Sequence, residues 1–255
     1  MHKPRKRLGQ NFLKDQNIIA NIIDLIAPKT GDCILEIGPG TGALSSKLLQ
    51  RVKNLYAVEI DSSLAARLAD KYPKLTVFTD DALKFNLARI PCENKIRLVG
   101  NLPYNISTPL LLHFLRHSHK IYDMHFMLQK EVADRIMSEP DRKTFGRLAV
   151  MLQTFAKVEK LAAIPPNAFW PKPKVHSAFM RIIPNASGKK FAPDEFSLLV
   201  KAAFAKRRKT LRNNLKSIMP ENCLAGCPLD LSLRAENLSV ADYADLFSWY
   251  GSTVR

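Results

Sequence analysis

An α/β architecture is predicted for this chain: a seven-stranded, mostly parallel sheet with an antiparallel strand, followed by a small all-α unit. Three observations predict it. Short β-rich runs alternate with amphipathic segments up to about Leu128, the βαβ pattern from which a parallel sheet is built. Two further extended runs, Thr154 to Leu161 and His176 to Ile183, have the character of an antiparallel hairpin that completes the sheet. After Pro184 the string NASGKKFAPDE is polar and turn-rich, and the rest has helical periodicity without a convincing strand.

Taken in order, strands are expected at Cys33 to Ile37, Leu55 to Ile60, Leu75 to Thr79, Ile96 to Gly100 and Met124 to Leu128. Between them the apolar spacing predicts helices at Ile18 to Ala27, Ala43 to Arg51, Ser62 to Lys71, Thr108 to Arg116 and Lys130 to Ser138. The division into domains 1–185 and 186–255 follows from the change of pattern. The second domain is expected to carry Phe196 to Phe204, then Lys209 to Met219, then a last helix opened by Ser239 as N-cap with Asp242 three residues on.

With 255 residues, 46% of them hydrophobic, the chain is long and apolar enough for a real core, which excludes disorder as its class. Its formal charge of +16 favours self-repulsion and fits a polyanionic partner, with nucleic acid preferred over a membrane surface. No stretch approaches the length of an uncharged membrane span, and MHKPRKR at the start leads into GQNFLKD instead of an apolar signal core. A cytoplasmic protein is therefore expected. Cys33, Cys92, Cys223 and Cys227 form no CxxC pair, so reduced thiols are expected in place of a disulfide framework or a zinc ribbon.

The most informative motif is Asn101-Leu102-Pro103-Tyr104, which closes the apolar run Ile96 to Gly100. Asn101 offers a side-chain carbonyl and Leu102 a backbone carbonyl, while Pro103 stiffens the turn and Tyr104 supplies a flat ring. This combination suits an aromatic amine. The exocyclic amine of adenine is a poor nucleophile while its lone pair is delocalised into the ring. Two acceptors gripping its hydrogens favour a tetrahedral nitrogen and attack on an electrophilic methyl.

Upstream, Glu36-Ile37-Gly38-Pro39-Gly40-Thr41-Gly42 joins the first long strand to a helix, and its glycines permit a tight turn and a close approach to a ligand. Gly38-x-Gly40-x-x-Ala43 also fits a dinucleotide fingerprint, so the loop alone does not choose a cofactor. Glu59 closes the second of these strands, where a carboxylate can accept from ribose hydroxyls, and Asp81 follows the third, where it can accept from an adenine amine. Lys201, Lys206, Arg207, Arg208, Lys209, Arg212 and Lys216 occur with no acid between them, and Lys3, Arg5, Lys6 and Arg7 form a second basic cluster. Both are phosphate-contact candidates. His113 and His117 are four apart on an expected helix, yet no Glu stands beside them in a zincin arrangement and no third ligand is evident, so no metal is expected.

EIGPGTG, VEID, Asp81-Ala82 and NLPYNIS resemble, in this order, the motifs of S-adenosylmethionine-dependent adenine-N6 methyltransferases. Gly9-Gln10-Asn11-Phe12-Leu13, the run Phe169-x-Pro171-x-Pro173-x-Val175-x-Ser177 and Arg207-Arg208-Lys209-Thr210-Leu211-Arg212-Asn213 extend the resemblance to the small-subunit ribosomal RNA adenine dimethyltransferases. It implies a class I methyltransferase domain with a small helical C-terminal domain, S-adenosylmethionine as cofactor, and dimethylation of two adjacent adenosines in the 3′-terminal hairpin loop of 16S rRNA, within the small subunit or its precursor. It also implies a part in ribosome maturation and a monomeric chain. Asn11, Leu13, Gly38, Glu59, Asp81 and Asn101 match the family's cofactor-contacting positions, and Asn101 to Tyr104 its target-adenine site. Tyr104 and Phe169 are then expected to sandwich an extruded base, and Lys206, Arg207, Arg208, Lys209 and Arg212 to contact RNA. A sulfonium methyl needs no general base, metal or covalent intermediate. Trp170 departs from the family pattern, standing where smaller residues are common. The alternatives are a macrolide-resistance methyltransferase acting on 23S rRNA, a non-catalytic ribosome-assembly factor, and a nicotinamide-dependent oxidoreductase on the same scaffold.

Overall fold

The computed structural model describes residues 4, 5, 8–185 and 192–254. Lys3, Lys6 and Arg7 of the N-terminal basic cluster lie outside the described residues. Seven strands form one sheet: β2 (Cys33–Ile37), β3 (Asn54–Glu59), β4 (Thr76–Thr79), β5 (Ile96–Asn101), β6 (Ile121–Gln129), β7 (Ala156–Ile164) and β9 (Ser177–Pro184), in the order β4-β3-β2-β5-β6-β9-β7. β2 to β6 run parallel, and β9 runs antiparallel to β6. Asn185, just past β9, donates its backbone N–H to the Phe155 carbonyl at the start of β7, so these two strands also run in opposite directions. β1 (Phe12–Leu13) and β8 (Phe169–Trp170) pair separately as a two-stranded antiparallel ribbon.

The parallel register places the strand ends in line: Ile37 pairs with Val58 and with Gly100, Glu59 with Thr79, and Asn101 with Met127. A common edge thus collects the loops that follow β2, β3, β4 and β5, the position where open α/β sheets bind ligands. β2 is buried at every residue, as expected of a strand covered on both faces. Helix α1 (Gln16–Ile26) covers one of them with Ile19, Ile22, Ile23 and Ile26, and Asp15 caps its start by accepting from the Asn17 and Ile18 N–H groups. Helices α3 (Ser62–Lys71), α4 (Ser107–Arg116) and α5 (Lys130–Ile136) occupy the crossovers where the periodicity predicts them. Only α2 (Ser45–Leu48) forms within the expected helix Ala43 to Arg51, because the residues before it are held in the glycine turn.

The chain folds as two compact units, residues 1–133 with 159–184, and 134–158 with 185–255. The boundary read from sequence at 185/186 omits the stretch 134–158 from the helical unit. That stretch contains α6 (Arg147–Phe155), where an extended run was expected from Thr154. Val150, Met151, Leu152 and Phe155 of α6 are buried, and the Phe155 ring meets Phe196 of α7 (Pro193–Ala203) edge-on at 5.4 Å. The remaining helices of this unit are α8 (Leu211–Leu215), α9 (Glu221–Ala225) and α10 (Val240–Val254). α8 starts later than the expected Lys209 because Thr210 caps it, accepting from the Asn213 N–H, and it ends at Leu215, short of the expected Met219. Ser239 and Asp242 cap α10 reciprocally, the Ser239 N–H donating to Asp242 Oδ2 at 2.7 Å and the Asp242 N–H to Ser239 Oγ at 3.1 Å. Cys33 and Cys92, expected as separate thiols, are joined as a disulfide with Cα atoms 6.4 Å apart. Cys92 sits just ahead of β5, the neighbour of the strand Cys33 opens, a proximity that sequence spacing does not reveal. Cys223 and Cys227 are free.

At the opposite edge of the sheet, Arg97 organises the charges. Its guanidinium donates to both oxygens of Asp123 at 2.9 and 3.0 Å, to Asp32 Oδ2 at 2.7 Å and to the Ile26 carbonyl at 2.8 Å. One side chain thereby ties β5, β6, the turn before β2 and the last turn of α1. Replacing Arg97 with Met should cost about 3–5 kcal/mol, because the fully buried Asp123 loses its main counter-charge. Urea unfolding measures this, and a midpoint within error of wild type would show that the network contributes nothing.

Candidate nucleotide and methyl-transfer site

The strand ends of the first unit enclose a cleft of about 920 Å³, including its open mouth. Of the residues that the sequence analysis assigned to a cofactor or to the target adenine, Asn11, Leu13, Gly38, Glu59, Asp81, Asn101, Leu102, Pro103 and Tyr104 line it, and Phe169 does not. The turn after β2 is shaped by left-handed glycines. Gly38 has φ +64°, and a Cβ added there meets nothing within 4 Å, so this part of the turn borders open cleft. At Gly40, with φ +59°, a Cβ would lie 2.9 Å from the Phe12 ring, so the close packing of β1 on the loop requires glycine.

Glu59 holds this loop. One of its oxygens accepts the Gly40 N–H at 3.1 Å and the other the Asp61 N–H at 3.0 Å. Burial raises its carboxyl above the ordinary value, against the lowering effect of these backbone bonds. Asp61, also buried, caps α3 through the Ser63 N–H and receives Arg5 Nε at 3.1 Å and Gln10 Nε2 at 3.4 Å. Burial alone would push the Asp61 carboxyl up, but Ser63, Arg5 and Gln10 outweigh it and hold the group below the usual range. Asp81 closes a local turn, its Oδ1 accepting the Leu83 N–H at 3.0 Å.

In the Asn101–Tyr104 turn, Asn101 Nδ2 donates to the Asn11 carbonyl at 2.7 Å. The donor end of the amide is thereby committed to protein, which fixes Oδ1 as the end that can accept from a ligand. The Leu102 N–H is engaged by the Met127 carbonyl at 3.3 Å. The half-buried Tyr104 shares a 2.7 Å hydrogen bond with Ser177 Oγ, and burial pushes its phenol pKa up. Ser177 belongs to the Phe-x-Pro run, so the two motifs meet here through a bond that neither reveals alone. Phe169 is not brought to the cleft. It is 1% exposed and packs in the core with Leu13, its partner in the β1–β8 ribbon, so the expected two-sided stack with Tyr104 is not formed in this conformation.

The basic segment of the helical unit is more paired than its sequence implies. Lys206, Arg207, Arg208 and Lys209 are exposed on the turn after α7. Arg207 Nε meets Glu236 at 3.1 Å, and its Nη2 donates to the Lys143 carbonyl at 2.8 Å. Arg212 is bonded to Glu221, which also pairs with Lys216 at 3.3 Å. These acids come from later in the chain. Asn214 shapes the turn from within, its Nδ2 donating to the Ala203 and Lys206 carbonyls at 2.6 and 3.2 Å. Among the described residues no group of His, Cys, Asp and Glu is placed to hold a metal, and no helix is long and apolar enough to cross a membrane.

Glu36 is the site residue that sequence reasoning passed over. It reads as one more strand position, yet it is 2% exposed and accepts Ser45 Oγ at 2.5 Å, fastening the start of α2 to β2 beneath the glycine turn. Phe12 lines the cleft and packs against Gly40, a role that its motif does not reveal.

A sheet of this order with a glycine turn and carboxylates along one edge defines an α/β methyltransferase, and solved structures agree. A dimethyladenosine transferase from Plasmodium falciparum superposes with TM-score 0.78 and 28% identity, over 94% of this chain and 98% of that one. The 23S rRNA methyltransferase ErmE gives TM-score 0.68 and 25% identity, over 94% and 99%. The "Ribosomal RNA small subunit methyltransferase A" of Chromobacterium violaceum is 49% identical over 249 residues, covering 96% of this chain and 95% of its own. The chain belongs to the ribosomal RNA adenine dimethylase family, whose profile matches residues 1–252.

Burial raises the Glu36 carboxyl from 4.5 to about 7, with the Ser45 bond opposing the rise and nearby Glu59 adding to it. A raised acid binds its proton more tightly in the folded state, so stability should fall as the pH rises from the unfolded value toward 7. Each tenfold difference in proton affinity is worth about 1.4 kcal/mol, and the loss amounts to roughly 3 kcal/mol. Glu36→Gln in the ligand-free protein should therefore raise stability at pH 8 and change it little at pH 4. Equal effects at both pH values, read by chemical denaturation, would show that Glu36 does not titrate in this window.

Proposed function

We propose that the chain transfers methyl groups from S-adenosylmethionine to N6 of two adjacent adenosines in the 3′-terminal hairpin loop of 16S rRNA, acting as a monomer in the cytoplasm during maturation of the small subunit. The observation that carries this reading is the Asn11–Asn101 hydrogen bond, which turns the Asn101 acceptor toward an incoming amine in the cleft that also holds Glu59 and Asp81. The name of the Chromobacterium violaceum relative supports the small subunit over 23S rRNA as the substrate.

The residues present fit the cofactor. Gly38 borders open space, and Glu59 and Asp81 offer acceptors at successive strand ends. Glu59 is assigned to the ribose hydroxyls, Asp81 to the adenine amine, Gly38 to the close approach of the backbone, and Asn11 and Leu13 to the lip. When bound, S-adenosylmethionine supplies an electrophilic sulfonium methyl. Asn101 Oδ1 and the Leu102 carbonyl grip the two hydrogens of the target N6 and draw its lone pair out of conjugation. Pro103 keeps the two acceptors in a rigid turn. Tyr104, anchored by Ser177, presents its ring to the extruded base, a contact of about 1–3 kcal/mol. By fixing the direction of the target nitrogen these residues would lower the barrier by several kcal/mol to a displacement in which the S–CH3 bond breaks as N–CH3 forms, leaving a thioether and releasing one N6 proton to solvent. Phe169 would have to leave the core to complete the stack.

Two outcomes test this reading. Asn101→Ala should nearly abolish labelled-methyl transfer to immature small subunits while the protein still binds them, and residual product should be enriched in monomethyladenosine. Robust dimethylation by this variant, seen by nucleoside mass spectrometry, would show that the mechanism is wrong. Separately, Arg208→Glu with Lys209→Glu should weaken RNA binding and flatten its dependence on salt by about 0.7–0.9 log unit per lost phosphate contact. An unchanged slope would reduce the turn to a solvated face.

A further inference from the structure

Trp170 has no part in the reaction as derived, yet it stands at its edge. β8 alternates as a strand should, turning Phe169 into the core and leaving Trp170 45% exposed. Its antiparallel partner is Phe12, and directly opposed residues of such a pair project from the same face. Phe12 lines the cleft and lies against Gly40, and Trp170, opposite Phe12 on the same face of the ribbon, stands next to that lining without being part of it.

The surroundings are cationic. Lys14 follows β1, Lys172 and Lys174 follow Trp170, and all three are exposed, while Asp15 beside Lys14 is turned to the capping of α1. No acidic residue occurs from Lys160 to His176. Scattered exposed hydrophobics are ordinary on soluble proteins, but a large ring interleaved with lysines beside the cleft is the combination that binds a single strand by stacking and phosphate contact.

We propose that Trp170 is a base-stacking residue that takes the nucleotide adjacent to the one held in the cleft, with Lys172 and Lys174 on the flanking phosphates. It acts on substrate position, not on the reacting atoms. The proposal rests on the reading of RNA as the substrate and adds the second nucleotide site. Because each base presents a π-face, the contact is tolerant of sequence.

The chain has two tryptophans, so Trp249→Phe, on α10, leaves Trp170 as the sole indole. Titration of this full-length protein with single-stranded oligoadenylate and with an adenosine-loop hairpin RNA should quench its emission in step with binding. Trp170→Phe should keep most of the affinity. Trp170→Ala should weaken binding by roughly 5- to 150-fold and raise KM for RNA with little change in kcat, the range that loss of one stacked base implies. Its salt slope should match wild type, whereas Lys172→Ala and Lys174→Ala should each lower the slope by about 0.7–0.9. Salt-dependent RNA binding with unquenched Trp170 emission, or unchanged affinity in Trp170→Ala, overturns the proposal and leaves the RNA reading standing. Absence of RNA binding by the wild-type chain overturns both.

Discussion

The Glu59 carboxylate is the point on which the site's construction depends. Each of its two oxygens accepts one backbone N–H, from Gly40 in the turn after β2 and from Asp61 after β3, and keeps a second lone pair. A left-handed glycine turn cannot be satisfied by a helix or a ladder, and a buried N–H left without an acceptor costs about 1–3 kcal/mol. From Glu59 the connections run outward. Asp61 receives Arg5 and Gln10, the Arg5 N–H donates to Gln10 Oε1, and the Asn11 carbonyl receives Asn101. The segment around Gln10 and Asn11 is thus sewn to the edge of the sheet at both β3 and β5. It forms one wall of the cleft although only two of its residues are in a strand.

The two edges of the sheet treat buried charge in opposite ways. Around Arg97 each carboxylate has a guanidinium partner, and the buried His125 beside Asp123 is kept neutral, its pKa pushed down to about 4 chiefly by burial. That end is compensated. At the cleft, Glu36 and Glu59 are buried close enough for Glu59 to raise Glu36, and their partners are a hydroxyl and backbone amides. Carboxylates held with so little counter-charge weaken the ligand-free fold, and proteins concentrate such departures from local consistency where they work. The difference between the edges would single out the cleft even if no motif were known.

Most of this was legible in the sequence because strand ends in a parallel sheet are fixed by the ends of the apolar runs. Glu59 and Asn101 close such runs, and the expected strand Cys33 to Ile37 matches β2 residue for residue. What stayed hidden depended on contacts between distant segments. The Tyr104–Ser177 bond spans 73 residues and the Arg207–Glu236 pair 29. α6 was missed because its start has no side-chain cap, Gly146 standing there in place of a Ser, Thr, Asp or Asn. Phe169 was assigned by resemblance to the base pocket. Period-two alternation in β8 sends it inward and Trp170 outward, an outcome that depends on the register with β1.

The proposed partners make opposite electrostatic demands: a sulfonium cofactor is cationic, whereas RNA is a polyanion. The chain meets both by placing the two signs at different depths. Glu59 is buried and Asp81 stands at the next strand end, and when ionised the buried Glu59 acts through a low effective dielectric that strengthens its field at short range. Lys206, Arg208, Lys209, Lys172 and Lys174 are exposed to solvent, where their summed field attracts a polyanion over about a Debye length and is screened by salt. A net charge of +16 therefore coexists with an anionic cleft. Sensitivity to salt should in consequence belong to the RNA step alone, because phosphate contacts release counterions while the carboxylates around the cofactor site are shielded by the protein that buries them.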